Sequence, residues 1–180
     1  MTEAFRRRAG WDAARRLVAA RAAREPAVAS AVRRALVVLP AEEGALRAAW
    51  RFVAGLAVPV IPVIAGESLA FVPDAYAGLV VRLGRDALDW RGLPKRSLRG
   101  WLWTPDLDVA VMLGPPDDLA GAVLVGAAPV GLRLGVDNPD TPGFYDLALG
   151  AGTSDPPGEL LARLAQIRPP LVPLRTGAGR

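Results

Sequence analysis

The sequence predicts an α/β domain in three layers, built around a mostly parallel sheet of five to six strands and preceded by one basic helix. Three observations lead to it. Short, continuous apolar runs recur along the chain and alternate with segments of helical spacing, as in repeated βαβ units. A length of 180 residues, 52% of them hydrophobic and 22% charged, is enough for one domain with a substantial core. The net charge of +4 is concentrated at the amino end, ahead of the alternating part.

The elements follow in order. Thr2–Arg24 is free of proline and rich in alanine and arginine, both strong helix formers. On a helical wheel Trp11, Ala14, Val18 and Ala22 share one side, with Leu17 beside them. That stripe is narrow, and Arg7 and Arg21 intrude on it, so the expectation is a helix that docks loosely or waits for a partner, ended by Pro26. Ala35–Leu39 is a continuous apolar run suited to a buried parallel strand. Ala41–Gly55 carries Leu46, Ala49, Trp50 and Val53 at helical spacing. Val60–Ile64 is a second strand, and Pro62 removes a ladder donor from it, which places it near an edge or an irregularity. Gly78–Leu83 reads as a third strand, Ser97–Trp103 as a short helix, and Val109–Leu113 as a fourth strand. A helix over Asp117–Val125 comes next, then strands Pro129–Leu134 and Phe144–Leu149, then a helix over Pro157–Ile167. The fold is therefore expected to be Rossmann-like, with Ala35–Leu39, Val109–Leu113 and Pro129–Leu134 as adjacent buried strands. Its divisions fall at 1–30 for the basic helix, 31–169 for the α/β body, and 170–180 for a proline- and glycine-rich tail expected to be flexible.

Composition restricts the chemistry. With no cysteine and no histidine there is no thiol nucleophile, no disulfide, no histidine base and no zinc site of the usual ligands. A metal would need oxygen ligands alone, which suits magnesium or calcium. Neither G-x-G-x-x-G nor G-x-x-x-x-G-K-[ST] occurs. No catalytic residue, metal or cofactor is assigned, and no hydrolase activity on esters or peptides is expected. Phe52–Ala65 and Leu119–Leu132 are interrupted by prolines, so neither reads as a membrane span. The amino end lacks a secretory apolar core, and a cytoplasmic location is expected.

Charge supplies the leading functional signal. Through Arg34 there are nine arginines against three carboxylates, a charge of +6, while thirteen basic and fifteen acidic residues leave the remainder at −2. Arg6, Arg7, Arg8, Arg15, Arg16, Arg21 and Arg24 would present guanidinium groups that pair phosphates bidentately. Such a helix suits RNA, DNA, a ribonucleoprotein or an anionic lipid surface. The competing explanation is compositional, since Lys95 is the sole lysine of an alanine-, glycine-, proline- and arginine-rich chain.

Other candidates are weighed against structural roles. Trp90, Arg91, Lys95, Arg96 and Arg99 form a basic–aromatic cluster able to stack a base and pair phosphate, or a packed tryptophan among solvated cations. Asp117 and Asp118 suit magnesium at the strand ends, or the first turn of a helix, where carboxylates complement the dipole. Asp137, Asn138, Asp140 and Thr141 offer oxygens for calcium but also match turn vocabulary, which is the preferred reading. Trp90, Lys95, Asp117, Asp118, Asp137 and Asn138 together make up the candidate ligand pocket. Glu42 and Glu43, after the first strand, fit a helix start.

The stretch Asp89-Trp90-Arg91-Gly92-Leu93-Pro94-Lys95 ahead of a helix, Asp108 before the strand Val109–Leu113, and Tyr145-Asp146-Leu147 resemble a family over roughly Val32 to Leu149. The family consists of short bacterial α/β proteins of the Bacteroidota type, known as domain of unknown function 6913. The resemblance implies the fold and no catalytic residues. Asp108–Gly135, which runs strand, Gly-Pro-Pro, helix, strand, is also similar to the nucleotide-binding half of two-domain glycosyltransferases, without their small-residue loop and histidine. Two functions follow as expectations: a non-enzymatic binding or adaptor protein whose arginine helix engages nucleic acid or a ribonucleoprotein, or a small enzyme or sensor for a nucleotide or sugar nucleotide.

Overall fold

Six short strands, all of them parallel, make up the sheet of the computed structural model, which describes residues 2–22, 32–65, 71–136, 138–150 and 155–167. The elements are α1 (Glu3–Ala22), β1 (Ala35–Leu39), α2 (Glu43–Gly55), β2 (Val60–Ala65), β3 (Val81–Leu83), α3 (Arg96–Leu102), β4 (Val109–Met112), α4 (Leu119–Gly126), β5 (Leu132–Val136), β6 (Leu147–Leu149) and α5 (Pro156–Ile167). The strand order is β3-β2-β1-β4-β5-β6. This is the Rossmann-like arrangement, in which the chain reverses its direction of progress between β1 and β4. As the uninterrupted apolar runs predict, β1, β4 and β5 are neighbours, paired Ala35 to Val109 and Val109 to Leu132. Pro62 pairs with Val37, whereas pairing to β3 begins only at Val63. The missing donor thus falls in a stretch with one strand neighbour.

One face of the sheet is covered by α2 and α5, which bring Leu46, Trp50, Phe52 and Leu160 onto Val37, Leu39, Val111 and Leu134. The other is covered by α3 and α4, with Leu102, Leu124 and Val125 on Leu36, Val38 and Met112. A third apolar cluster lies outside α4. Residues 120–126 of α4 are buried all round, because the helix carries no polar side chain and so cannot present any face to water. Its outer side is covered by α1: Trp11, Ala14 and Val18 pack with Val123, Ala127, Leu93 and Phe144. The expectation of a loosely docked α1 is therefore corrected. Trp11, Ala14 and Val18 of the narrow stripe are all buried, Ala14 completely, because α4 offers a flat surface of alanine, glycine and valine.

At Gly10 the helix α1 lies against Leu119 and the backbone of Arg91 with no room for a side chain. A Cβ there would lie 2.5 Å from Leu119 Cδ2 and 2.6 Å from the carbonyl oxygen of Arg91. Gly10→Ala should push α1 outward and lower the unfolding free energy by about 1–3 kcal/mol, read from urea denaturation.

Several boundaries differ from expectation for local reasons. After a single helical turn at 74–76, the N–H groups of Leu79 and Val80 both donate to Tyr76 O, which shortens the predicted Gly78–Leu83 strand to Val81–Leu83. The predicted strand Pro129–Leu134 begins only at Leu132, since the buried Arg133 guanidinium holds Ala128 O and Val130 O in a turn. Phe144 leaves the predicted last strand to pack under Trp11, their ring centroids 6.4 Å apart. Asp117 and Asp118 precede α4 rather than opening it, and Asp118 is the N-cap. The tail 170–180 lies outside the described residues.

Asp108 fixes the entry to β4. It is buried and accepts hydrogen bonds from the Arg33 backbone N–H at 2.7 Å and from the Arg33 guanidinium. The Arg33 side-chain hydrogen bonds hold its carboxyl below the ordinary 3.8, against the opposing effect of burial. A carboxyl lowered on folding stabilises the fold above its unfolded value, and that contribution disappears as pH falls through the folded one. Asp108→Asn should therefore be less stable than the natural protein at pH 7, and the gap in Tm should close as the two are titrated into strong acid.

Candidate functional site

Two of the concave regions among the described residues differ in their electrostatics. The first is the crevice at the carboxyl ends of β1 and β4, the usual ligand position in open sheets of this order. It has a volume of about 480 Å³ and lies between α2 and α5, against Gly44, Ala48, Leu113, Gly114, Val136, Asp155 and Pro156. In such sheets a phosphate rests on the amino end of the helix after the first strand, where free N–H groups point outward. Here that position is filled by the chain itself. Glu42 caps α2, its two oxygens accepting from Gly44 N and Ala45 N at 3.0 Å each. The hydrogen bonds from Ala45 and Gly44 hold the Glu42 carboxyl below its ordinary value, so it stays ionised. A phosphate there would meet a carboxylate.

The helix start beyond β4 is closed in the same way. Asp118 Oδ1 accepts from Ala120 N and Gly121 N at 3.1 Å each. Its Oδ2 is buried, without a hydrogen-bond partner among the described residues, and burial pushes this carboxyl up. Gly121 is needed here, since a Cβ would lie 2.6 Å from that oxygen. Among the described residues no group of three or more carboxylates is placed to hold a metal ion.

The second region lies on the opposite side of the sheet, between α1 and the segment from Arg85 to Arg99. A turn carries its centre. Asp89 O accepts from Gly92 N, Asp89 N donates to Leu93 O, and Lys95 N donates to Ala87 O. The Asp89 carboxylate accepts from the N–H groups of Arg91 and Leu93 and from the Arg91 guanidinium. Burial works against ionisation of Asp89, but these bonds outweigh it and hold the carboxyl below its ordinary value. Gly92, at φ +82°, supplies the left-handed residue that closes the turn.

Two adjoining clefts flank this turn and share Asp89 and Arg91. One, of about 410 Å³, sets Arg16, Arg91, Lys95, Arg96 and Arg99 around an apolar floor of Leu17, Leu93 and Pro94, with Asp89 as its sole carboxylate. Arg99 is desolvated there, which lowers its pKa; its guanidinium lies 5.5 Å from the Trp103 ring centroid and its Nε has no acceptor among the described residues. The other, of about 690 Å³, has Arg6, Arg7, Arg85 and Arg91 with Trp90, and with Glu3, Asp89, Asp117 and Asp118.

The arginines singled out from sequence separate by role. Arg6, Arg7 and Arg8 are exposed and have no ion-pair partner among the described residues. Arg16 donates to Asp12 O and faces the basic cleft. Arg15 is bound to Asp12 at 3.1 Å and lies 3.7 Å from Asp140. Arg21 donates to Gly126 O at 2.7 Å, so it caps the carboxyl end of α4. Arg24 lies outside the described residues.

Of the candidate pocket, Trp90, Asp117 and Asp118 come together in the larger cleft and Lys95 in its neighbour. Asn138 is apart from both, spent on a turn: its Nδ2 donates to Pro116 O and its Oδ1 accepts from Asp140 N. The Thr141 hydroxyl donates to Asn138 O in the same turn. Asp137 lies outside the described residues. Sequence reasoning missed Arg85 and the meeting of α1 with Arg91–Arg99. The signal was the wholly apolar α4, which requires an outer cover.

No helix among the described residues is long and apolar enough to cross a membrane. Comparison with protein-family models, curated proteins and solved structures gives no match.

Proposed function

We propose that this protein is a non-enzymatic nucleic-acid-binding or adaptor protein, and that the face formed by α1 and Arg85–Arg99 is its contact surface. One observation carries the reading: cations without an ion-pair partner among the described residues converge on this face, while beside the strand-end crevice the N–H groups of Gly44 and Ala45 at the start of α2 are taken up by Glu42. Arg6, Arg7, Arg16, Arg85, Lys95, Arg96 and Arg99 have no acidic ion-pair partner among the described residues, and all line the two clefts. Arg6–Arg8 also stand near the amino end of α1, where the helix dipole disfavours cations, so helix stability does not account for them. The capped start of α2 at Glu42 speaks against the nucleotide- or sugar-nucleotide-binding enzyme. The docked α1 supports a rigid presentation of the arginines, which lowers the entropy lost on binding.

The test is the salt dependence of binding to a labelled single-stranded RNA. Each phosphate neutralised contributes about −0.7 to the slope of log affinity against log salt. Replacing Arg6, Arg7, Arg16 and Arg96 together by glutamine should weaken binding at low salt and flatten the slope by up to about 0.7 for each phosphate left without its arginine. The fold should persist, since glutamine is a good helix former. Equal affinity with an unchanged slope would remove the face from consideration.

A further inference from the structure

The two clefts differ in a way that assigns them different parts of one ligand. The Arg16–Arg99 cleft holds five cations and one carboxylate, which suits a phosphate group. The larger cleft holds four arginines and four carboxylates, so its charge is balanced, and it has an indole at its side. Phosphate gains less there than in the Arg16–Arg99 cleft, whereas a base has an aromatic face to stack on and both donors and acceptors for its edge.

Trp90 is the side chain on which that base would lie. It is 56% exposed and lines the larger cleft, whereas Trp101, at 63%, lines neither cleft and Trp11 and Trp50 are buried. It follows Asp89 in the turn closed by the Gly92 N–H and the Asp89 carboxylate, so hydrogen bonds on both sides of it, from Asp89 to Leu93, hold its backbone. Its ring contact is the Arg91 guanidinium, 5.7 Å from the centroid. A large apolar ring fixed in water by a rigid turn contributes nothing to the core, and a stacked base loses little entropy in meeting it.

Resting on the nucleic-acid reading above, we propose that the ligand is single-stranded, with a backbone phosphate in the Arg16–Arg99 cleft and the adjoining base stacked on Trp90. Arg91 lines both clefts and stands at the junction of the two subsites. A duplex keeps its bases stacked inside and offers Trp90 only its backbone.

Three probes distinguish the outcomes: a labelled oligouridine, a blunt RNA duplex of equal charge, and inorganic polyphosphate as a polyanion without bases. The natural protein should bind the oligouridine more tightly than the duplex. Trp90→Ala should weaken oligouridine binding about ten-fold, leave polyphosphate binding and the salt slope unchanged, and be largely rescued by Trp90→Phe. Equal oligouridine affinity in Trp90→Ala, or an equal loss on polyphosphate, would overturn the stacking role while leaving the polyanion face intact. Duplex bound as tightly as the single strand would also overturn it. A natural protein that binds none of the three would refute both this inference and the nucleic-acid reading.

Discussion

Trp11→Ala is expected to lower the unfolding free energy by about 3–5 kcal/mol, the range for removing a buried large aromatic side chain. Trp11 is 4% exposed and packs with Phe144, Ala14 and Val123 in the cluster between α1 and α4. The cost arises from the cavity and from α4, whose outer side would meet water with no polar group to offer. A helix lying loosely on the surface would yield no more than about 0.5 kcal/mol. Guanidinium denaturation followed by far-ultraviolet circular dichroism separates the two, and a change within that smaller limit would mean that α1 is not part of the packed body.

Arg133→Met is expected to cost about 2–4 kcal/mol, because it orphans acceptors rather than only opening space. The Arg133 side chain is 4% exposed and donates to Ala128 O, to Val130 O and, at 2.7 Å, to Asp146 Oδ2. Burial lowers its pKa, yet the Asp146 carboxylate beside it favours the charged form. The guanidinium thereby joins the turn after α4 to the start of β5 and to the approach to β6. Arg133→Lys should rescue little, since one ammonium cannot reproduce this planar fork. Stability within about 0.5 kcal/mol of the natural protein in either variant would show that the carbonyls find other donors.

Much of the sheet was legible because buried parallel strands leave an unmistakable pattern. Ala35–Leu39 and Val109–Met112 are continuous apolar runs of five and four residues, too short for a buried helix and suited to a strand covered on both faces. The ends of β3, β5 and β6 were less legible, because each is decided by a contact distant in sequence or by turn bonding. By sequence Arg133 is an ordinary strand residue; its distinct role comes from partners at Ala128, Val130 and Asp146 that only the folded chain brings to it. The docking of α1 was within reach: Leu119–Gly126 has no polar position, so a sheet on one side could not suffice. What misled was the narrowness of the Trp11–Val18 stripe read without its partner. At the site, charge asymmetry pointed to α1, but which arginines are free depends on Asp12, Asp140 and Gly126 O, whose positions only the fold provides. Nor does spacing reveal that Arg16 and Arg99, far apart in the chain, line one cleft.

Hydrogen–deuterium exchange of the protein with and without a saturating single-stranded oligouridine tests the proposed contact face most directly. Binding there should slow exchange in peptides covering Arg6–Arg16 and Asp89–Arg99, with no change over Gly44–Ala48 or Gly158–Leu160. Protection confined to the latter two segments would place the ligand in the strand-end crevice and contradict a nucleic-acid face on α1.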